Sequence, residues 1–80
     1  MINVLFFARL KDEVGQPNIQ MDDAHAGKTV LELQQKLIAD GYSALSDSSI
    51  RIAVNQSFCD TDTIIQAGDE VAFMPPVTGG

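Results

Sequence analysis

A single cysteine, Cys59, leaves this 80-residue chain without an internal disulfide, so its fold rests on its core. Basic residues are scarce, five Lys and Arg against eleven Asp and Glu, and the formal net charge of −6 argues against a nucleic-acid partner, whose phosphates would be repelled. Apolar runs are short. The longest, Val4 to Ala8, suits a buried strand and falls far below the roughly eighteen residues of a membrane-spanning helix. No basic segment followed by an apolar stretch and a small-residue cleavage site opens the chain, so the expectation is a cytoplasmic protein with no membrane partner. No metal-ligand spacing, no nucleophile-and-base motif and no phosphate-cradling glycine loop is present, and no bound metal or cofactor is expected. A domain this small buries only roughly 60–65% of its unfolded surface, which leaves little volume for a catalytic pocket and favours a binding or carrier role.

What is present reads end to end as strand, strand, helix, strand, strand. Ile2 to Ala8 is apolar and aromatic without clean alternation, the pattern of a central strand covered on both faces. Arg9 to Gly15 is charged, with Leu10 and Val14 four apart, and fits a helical turn or a wide loop. Asn18 to Met21 follows Pro17 and reads as a second strand. The clearest element is a helix from Thr29 to Asp40, with a Thr29–Glu32 capping box, Val30, Leu33 and Leu37 on one face, Leu31 and Ile38 widening that core stripe, and Gly41 as the left-handed stop. Tyr42 to Ser49 is a polar loop. Ile50 to Val54 resumes strand character, Asn55-Gln56 offers a turn into a short strand at Ser57 to Cys59, and Glu70 to Met74 is the last strand. A sheet wrapped around one main helix, with first and last strands adjacent at its centre, is an α+β fold of the β-grasp, or ubiquitin-like, type. The domain is expected to span residues 1–74 and an extended tail residues 75–80.

The tail, Pro75-Pro76-Val77-Thr78-Gly79-Gly80, is the most informative segment. Pro75 and Pro76 fix φ and favour extended structure, so the tail is expected to project from the domain. Gly79 and Gly80 lack Cβ atoms and pass through channels closed to any other residue, and Val77 to Gly80 extend at most about 14 Å. The C-terminal carboxylate of Gly80 is thus a reactive group that another protein's active site can receive.

The opening Ile2-Asn3-Val4-Leu5-Phe6-Phe7-Ala8, the central Ala53-Val54-Asn55-Gln56 and the closing stretch from Gly68 through Asp69, Glu70, Val71, Ala72, Phe73 and Met74 to Gly80 resemble the small, sulfur-carrying subunit of molybdopterin synthase. The resemblance spans the whole chain. It implies a cytoplasmic heterotetramer in which this subunit carries sulfur and a large subunit catalyses. It further implies that an ATP-dependent, E1-like adenylating enzyme joins the Gly80 carboxylate to AMP, that a sulfur donor such as a cysteine desulfurase supplies the replacement, and that the resulting thiocarboxylate gives its sulfur to a cyclic pyranopterin monophosphate to build the molybdopterin dithiolene. ATP is then bound by the partner.

Phe7, Phe58 and Met74, with Pro75 and Pro76, are candidates for a docking patch, as the matching positions are in that family; the alternative places the three large side chains in the core. Met74 stands where an aromatic residue is expected. Cys59 lacks a basic or histidine neighbour in the sequence and reads as a buried, inert thiol, and His25 reads as a solvated loop residue. Two other functions share a Gly-Gly end: a sulfur carrier for the thiazole of thiamine, and a ubiquitin-like modifier joined through Gly80 to lysines. The Pro-Pro-Val-Thr segment favours the molybdopterin synthase reading over both.

Overall fold

The computed structural model describes residues 1–76, in which β1 (Ile2–Phe6), α1 (Arg9–Val14), β2 (Asn18–Met21), α2 (Val30–Ala39), β3 (Arg51–Val54), β4 (Ser57–Phe58) and β5 (Glu70–Met74) follow in order. Short 3-10 turns occupy Asp23–His25 and Ser43–Ser46. β1 pairs antiparallel with β2 and parallel with β5; β5 pairs antiparallel with β3, and β3 with β4. The sheet order β2-β1-β5-β3-β4 therefore sets the first and last strands side by side, and α2 packs across one face in the β-grasp arrangement expected from the sequence.

Alternation along the strands selects that face. Ile2, Val4 and Phe6 of β1, Ile52 of β3, and Val71 and Phe73 of β5 form one cluster with Val30, Leu33 and Leu37 of α2. Phe6 stacks between Phe73 and Tyr42, with ring centroids 6.2 and 5.9 Å away. Leu10, Leu45 and Ile65 complete the core from α1 and the connections.

α2 starts where its capping box dictates. The Thr29 hydroxyl oxygen accepts the Glu32 N–H at 3.1 Å, and the Glu32 carboxylate accepts the Thr29 N–H at 3.0 Å. The bond from the Thr29 backbone N–H, reinforced by the Thr29 hydroxyl, holds the Glu32 carboxyl below its usual range. At the other end the Asp40 N–H donates to the Lys36 and Leu37 carbonyls, and Gly41, at φ +112°, turns the chain away.

Several segments differ from the sequence reading. β1 is covered on one face only: Asn3 is exposed and Leu5 half-buried, because α2 shields the other side alone. Arg9–Val14 takes the helical one of the two forms its sequence left open, anchored by buried Leu10 and ended by Gly15 at φ +91°. The segment from Tyr42 to Ser49 contains a 3-10 turn that buries Leu45, whose carbonyl accepts the Gln34 side-chain amide at 2.8 Å. In the same segment the Ser49 hydroxyl and N–H both donate to Asp47, at 2.6 and 2.9 Å, and hold its carboxyl below the usual range. His25 is half-buried, not solvated. It lies in a compact turn capped by Asp22 through the Ala24 N–H at 2.9 Å, and its Nδ1 is shielded without a hydrogen-bond partner among the described residues. Cys59 is half-buried, its Sγ 3.8 Å from the Ile52 carbonyl.

Candidate functional site

The strand alternation that fills the core sends a second set of side chains to the face away from α2. On β5 these are Glu70, Ala72 and Met74; on β3, Arg51 and Ala53. Register brings Ala53 opposite Ala72, with Leu5 of β1 beside Ala72 on its other flank. Two alanines side by side make a floor without height. Phe58, paired with Ala53 across the β3–β4 ladder, and Phe7, just past the end of β1, rise around it with Met74 and enclose a depression of about 210 Å³. Its other end is closed by Gln56 and Glu70.

The exposures separate surface from core. Phe7 is 46% and Phe58 61% exposed, so neither fills the core, and Met74 is half-buried. The three sequence candidates thus line one depression, at the root of the tail: Met74 is followed directly by Pro75 and Pro76, both half-buried. Val77, Thr78, Gly79 and Gly80, the candidates for threading and chemistry, lie outside the described residues.

Local backbone chemistry fixes the aromatic walls. Asn55 and Gln56, at φ +52° and +71°, form a two-residue turn of the type whose twist matches a β-hairpin, and this sets Phe58 against Ala53. Asn55 then ties the hairpin to the start of β5. Its N–H donates to the Glu70 carbonyl at 2.8 Å, its side-chain oxygen accepts the Glu70 N–H at 3.0 Å, and its side-chain amide donates to Asp69 at 2.9 Å. On the opposite wall the Phe7 N–H donates to the Phe73 carbonyl at 3.1 Å, which extends the central pairing one residue beyond β1. The next residue, Ala8, takes φ +52° and ψ −132°, a conformation that costs an L-residue free energy, and swings the chain into α1.

Arg51 completes the surface. Directly opposite Met74 and diagonal to Phe58, it lays its guanidinium over the Phe58 ring, 4.3 Å from the centroid. Sequence reasoning missed Arg51 and the alanine floor. The signal was available in the period of two, which puts Arg51 and Ala53 on one face of their strand and Glu70, Ala72 and Met74 on one face of theirs. Among the described residues no three His, Cys, Asp or Glu side chains gather as a metal site, and no helix is long and apolar enough to cross a membrane.

Residues 4–80 match the model of the ThiS family. The chain belongs to the ThiS family. It is 43% identical over 83 residues to the molybdopterin synthase sulfur carrier subunit of Escherichia coli, with 100% of both chains covered. The corresponding subunit of Haemophilus influenzae is 36% identical over 81 residues, again over 100% of each. Among solved structures, the small archaeal modifier protein 1 from Methanosarcina acetivorans superposes with a TM-score of 0.79 at 26% identity, covering 99% of this chain and 95% of that one. The ThiS match extends to residue 80, so the Gly-Gly end falls within the family's span as well as the depression at its root.

Proposed function

We propose that this chain is the sulfur carrier subunit of a molybdopterin synthase and works as a covalent carrier, not as a catalyst. The observation that supports the reading best is the exposed apolar depression at the root of a Gly-Gly tail, in a chain alignable end to end with molybdopterin synthase sulfur carrier subunits. A carboxylate is a poor acyl electrophile. In the proposed cycle an E1-like adenylating enzyme binds ATP, and the Gly80 carboxylate attacks its α-phosphate, releasing pyrophosphate and leaving an acyl-adenylate. The persulfide of a donor such as a cysteine desulfurase then attacks the acyl carbon through its outer sulfur and displaces AMP, and a second thiol cleaves the resulting acyl disulfide, leaving the thiocarboxylate and a disulfide between the two thiols. The thiocarboxylate is carried into the large subunit, where it gives its sulfur to the cyclic pyranopterin monophosphate and returns as the carboxylate.

Division of labour follows from size. Gly79 and Gly80 contribute passage without steric bulk, Val77 and Thr78 contribute reach, and Pro75 and Pro76 stiffen the exit. Affinity comes from Phe7, Phe58 and Met74, because two glycines have too few atoms to supply it, and threading then gives the reacting carbon its proximity. These steps belong in the cytoplasm, where ATP is available.

The modifier reading draws support from the likeness to an archaeal modifier protein. Intact-mass measurement of the protein from its native cell, grown with ample sulfur, distinguishes the two. A species heavier by the difference between sulfur and oxygen is the expected result; carboxylate together with lysine-linked conjugates, and no such species, would replace the carrier reading with the modifier one.

A further inference from the structure

Arg51 has a setting that a chain of net charge −6 does not explain by itself. Arg9 pairs with Glu13 and Asp47, and Lys36 with Asp40, whereas Lys11 and Lys28 make no ion pair among the described residues, so what sets Arg51 apart is its place on an aromatic ring. Arg51 makes no ion pair and no side-chain hydrogen bond among the described residues, although Asp60 and Asp62 line the neighbouring depression of about 580 Å³ that it helps form. Its guanidinium instead lies on the Phe58 ring. A ring contact uses none of the guanidinium's N–H donors, and none of them has a partner among the described residues. We infer that Arg51, held on Phe58, is a specificity determinant of the docking face and receives a carboxylate of the synthase large subunit; the inference rests on the function proposed above.

Register gives the docking face a direction. Arg51 stands opposite Met74, at the end from which the tail leaves, while Glu70 sits at the other end of the same strand face. A partner that covers the apolar floor and receives the tail must also cover Arg51. Covering Phe58 removes water from the cation stacked on it, and a desolvated cation without a counter-charge is penalised. A partner with a carboxylate at the mouth of its tail channel therefore gains paired, charge-assisted hydrogen bonds, whereas one with an apolar or basic group there is rejected. The Phe58 stack fixes the fork in advance, so little side-chain freedom remains to be lost on docking.

The experiment is calorimetric titration of the large subunit with wild type, R51K and R51M at low and high salt, each also in a chain ending at Pro76. Arg51 is exposed and outside the core, so the variants are expected to stay folded, R51M melting less than about 8 °C below wild type through loss of the Phe58 stack. R51M should bind about tenfold more weakly at low salt, with a shallower salt dependence, and R51K should fall between, since lysine keeps the charge and loses the fork. The same ratios should appear in the chains ending at Pro76. Wild-type affinity and salt dependence in R51M would overturn the inference alone. An Arg51 effect confined to full-length chains would overturn it by assigning the cation to the chain's own Gly80 carboxylate. Failure of wild type to bind the large subunit would remove the proposed function and this inference together.

Discussion

Replacing Phe58 with aspartate tests whether the outer sheet face is a binding surface. A phenylalanine presents roughly 200 Å² for burial, and at 61% exposure about 120 Å² is left for a partner to cover. At roughly 25 cal/mol per Å² that area corresponds to about 3 kcal/mol of docking energy. Imperfect coverage reduces the figure and a desolvated aspartate raises the loss, so F58D should weaken binding to the large subunit and to the adenylating enzyme by at least ~2 kcal/mol. Folding should respond far less. The side chain lies outside the core cluster, and the identifiable loss is the Arg51 stack, about 0.5–1 kcal/mol at an exposed site. For a domain of this size that lowers Tm by less than about 8 °C. Calorimetric titration and circular dichroism melting on the same sample give both numbers. A folded F58D that still binds both partners like wild type would refute the patch, and an F58D that unfolds would show that the ring supports the domain instead.

Deleting Gly80, or adding one residue after it, should abolish adenylation while leaving Tm within a degree or two of wild type, because Phe73 is the last core residue among the described residues; an active extended chain would defeat the terminal-carboxylate chemistry. Leu37→Ala should do the reverse, costing about 2–5 kcal/mol by opening a cavity where the side chain is 1% exposed, with a Tm fall of at least roughly 10 °C and binding intact in whatever fraction stays folded. Glu32→Gln addresses pH. The Thr29 bonds hold the folded-state pKa of Glu32 below its unfolded value, so the contribution of its charged form is present above the unfolded pKa and is lost as pH falls through the lowered one. The acid limb of the wild-type stability curve should therefore be steeper than that of E32Q, and coincident limbs in denaturant titrations would contradict the assignment.

Local signals made α2 legible: its caps, its stripe and its stop lie within thirteen residues, from Thr29 to Gly41, and each appears as read except at Leu31, which was read into the stripe and is 42% exposed. The pairing of first and last strands was also accessible, because β-branched and apolar runs at the two ends have few other places to go. β1 misled for a physical reason. Leu5 and Phe7 are apolar yet lie on the outer face, half-buried and exposed, and an apolar run cannot say whether its second side meets a core or open surface. α1 gave little warning because its start is a strained Ala8 with no capping side chain, a tertiary effect with no sequence signature. In the candidate site, the three large residues were visible one by one, whereas Arg51 and the alanine floor acquire meaning only from register between strands far apart in the chain.

The parallel pairing of β1 with β5 bears on synthesis. Asn3 meets Glu70 and Phe6 meets Phe73, so the central ladder joins residues from nearly opposite ends of the polypeptide. Such long-range closure is slow relative to local helix formation, and on a ribosome it must wait for the final strand. Until β5 emerges, β1 and β3 have nothing between them and the inner face of the sheet has a gap where Val71 and Phe73 belong. A chain truncated before β5 therefore cannot complete its core and is left to proteolysis. The fold is therefore a completeness check on its own translation: a folded molecule exists only once the strand that leads into Pro75 and Pro76 has been made.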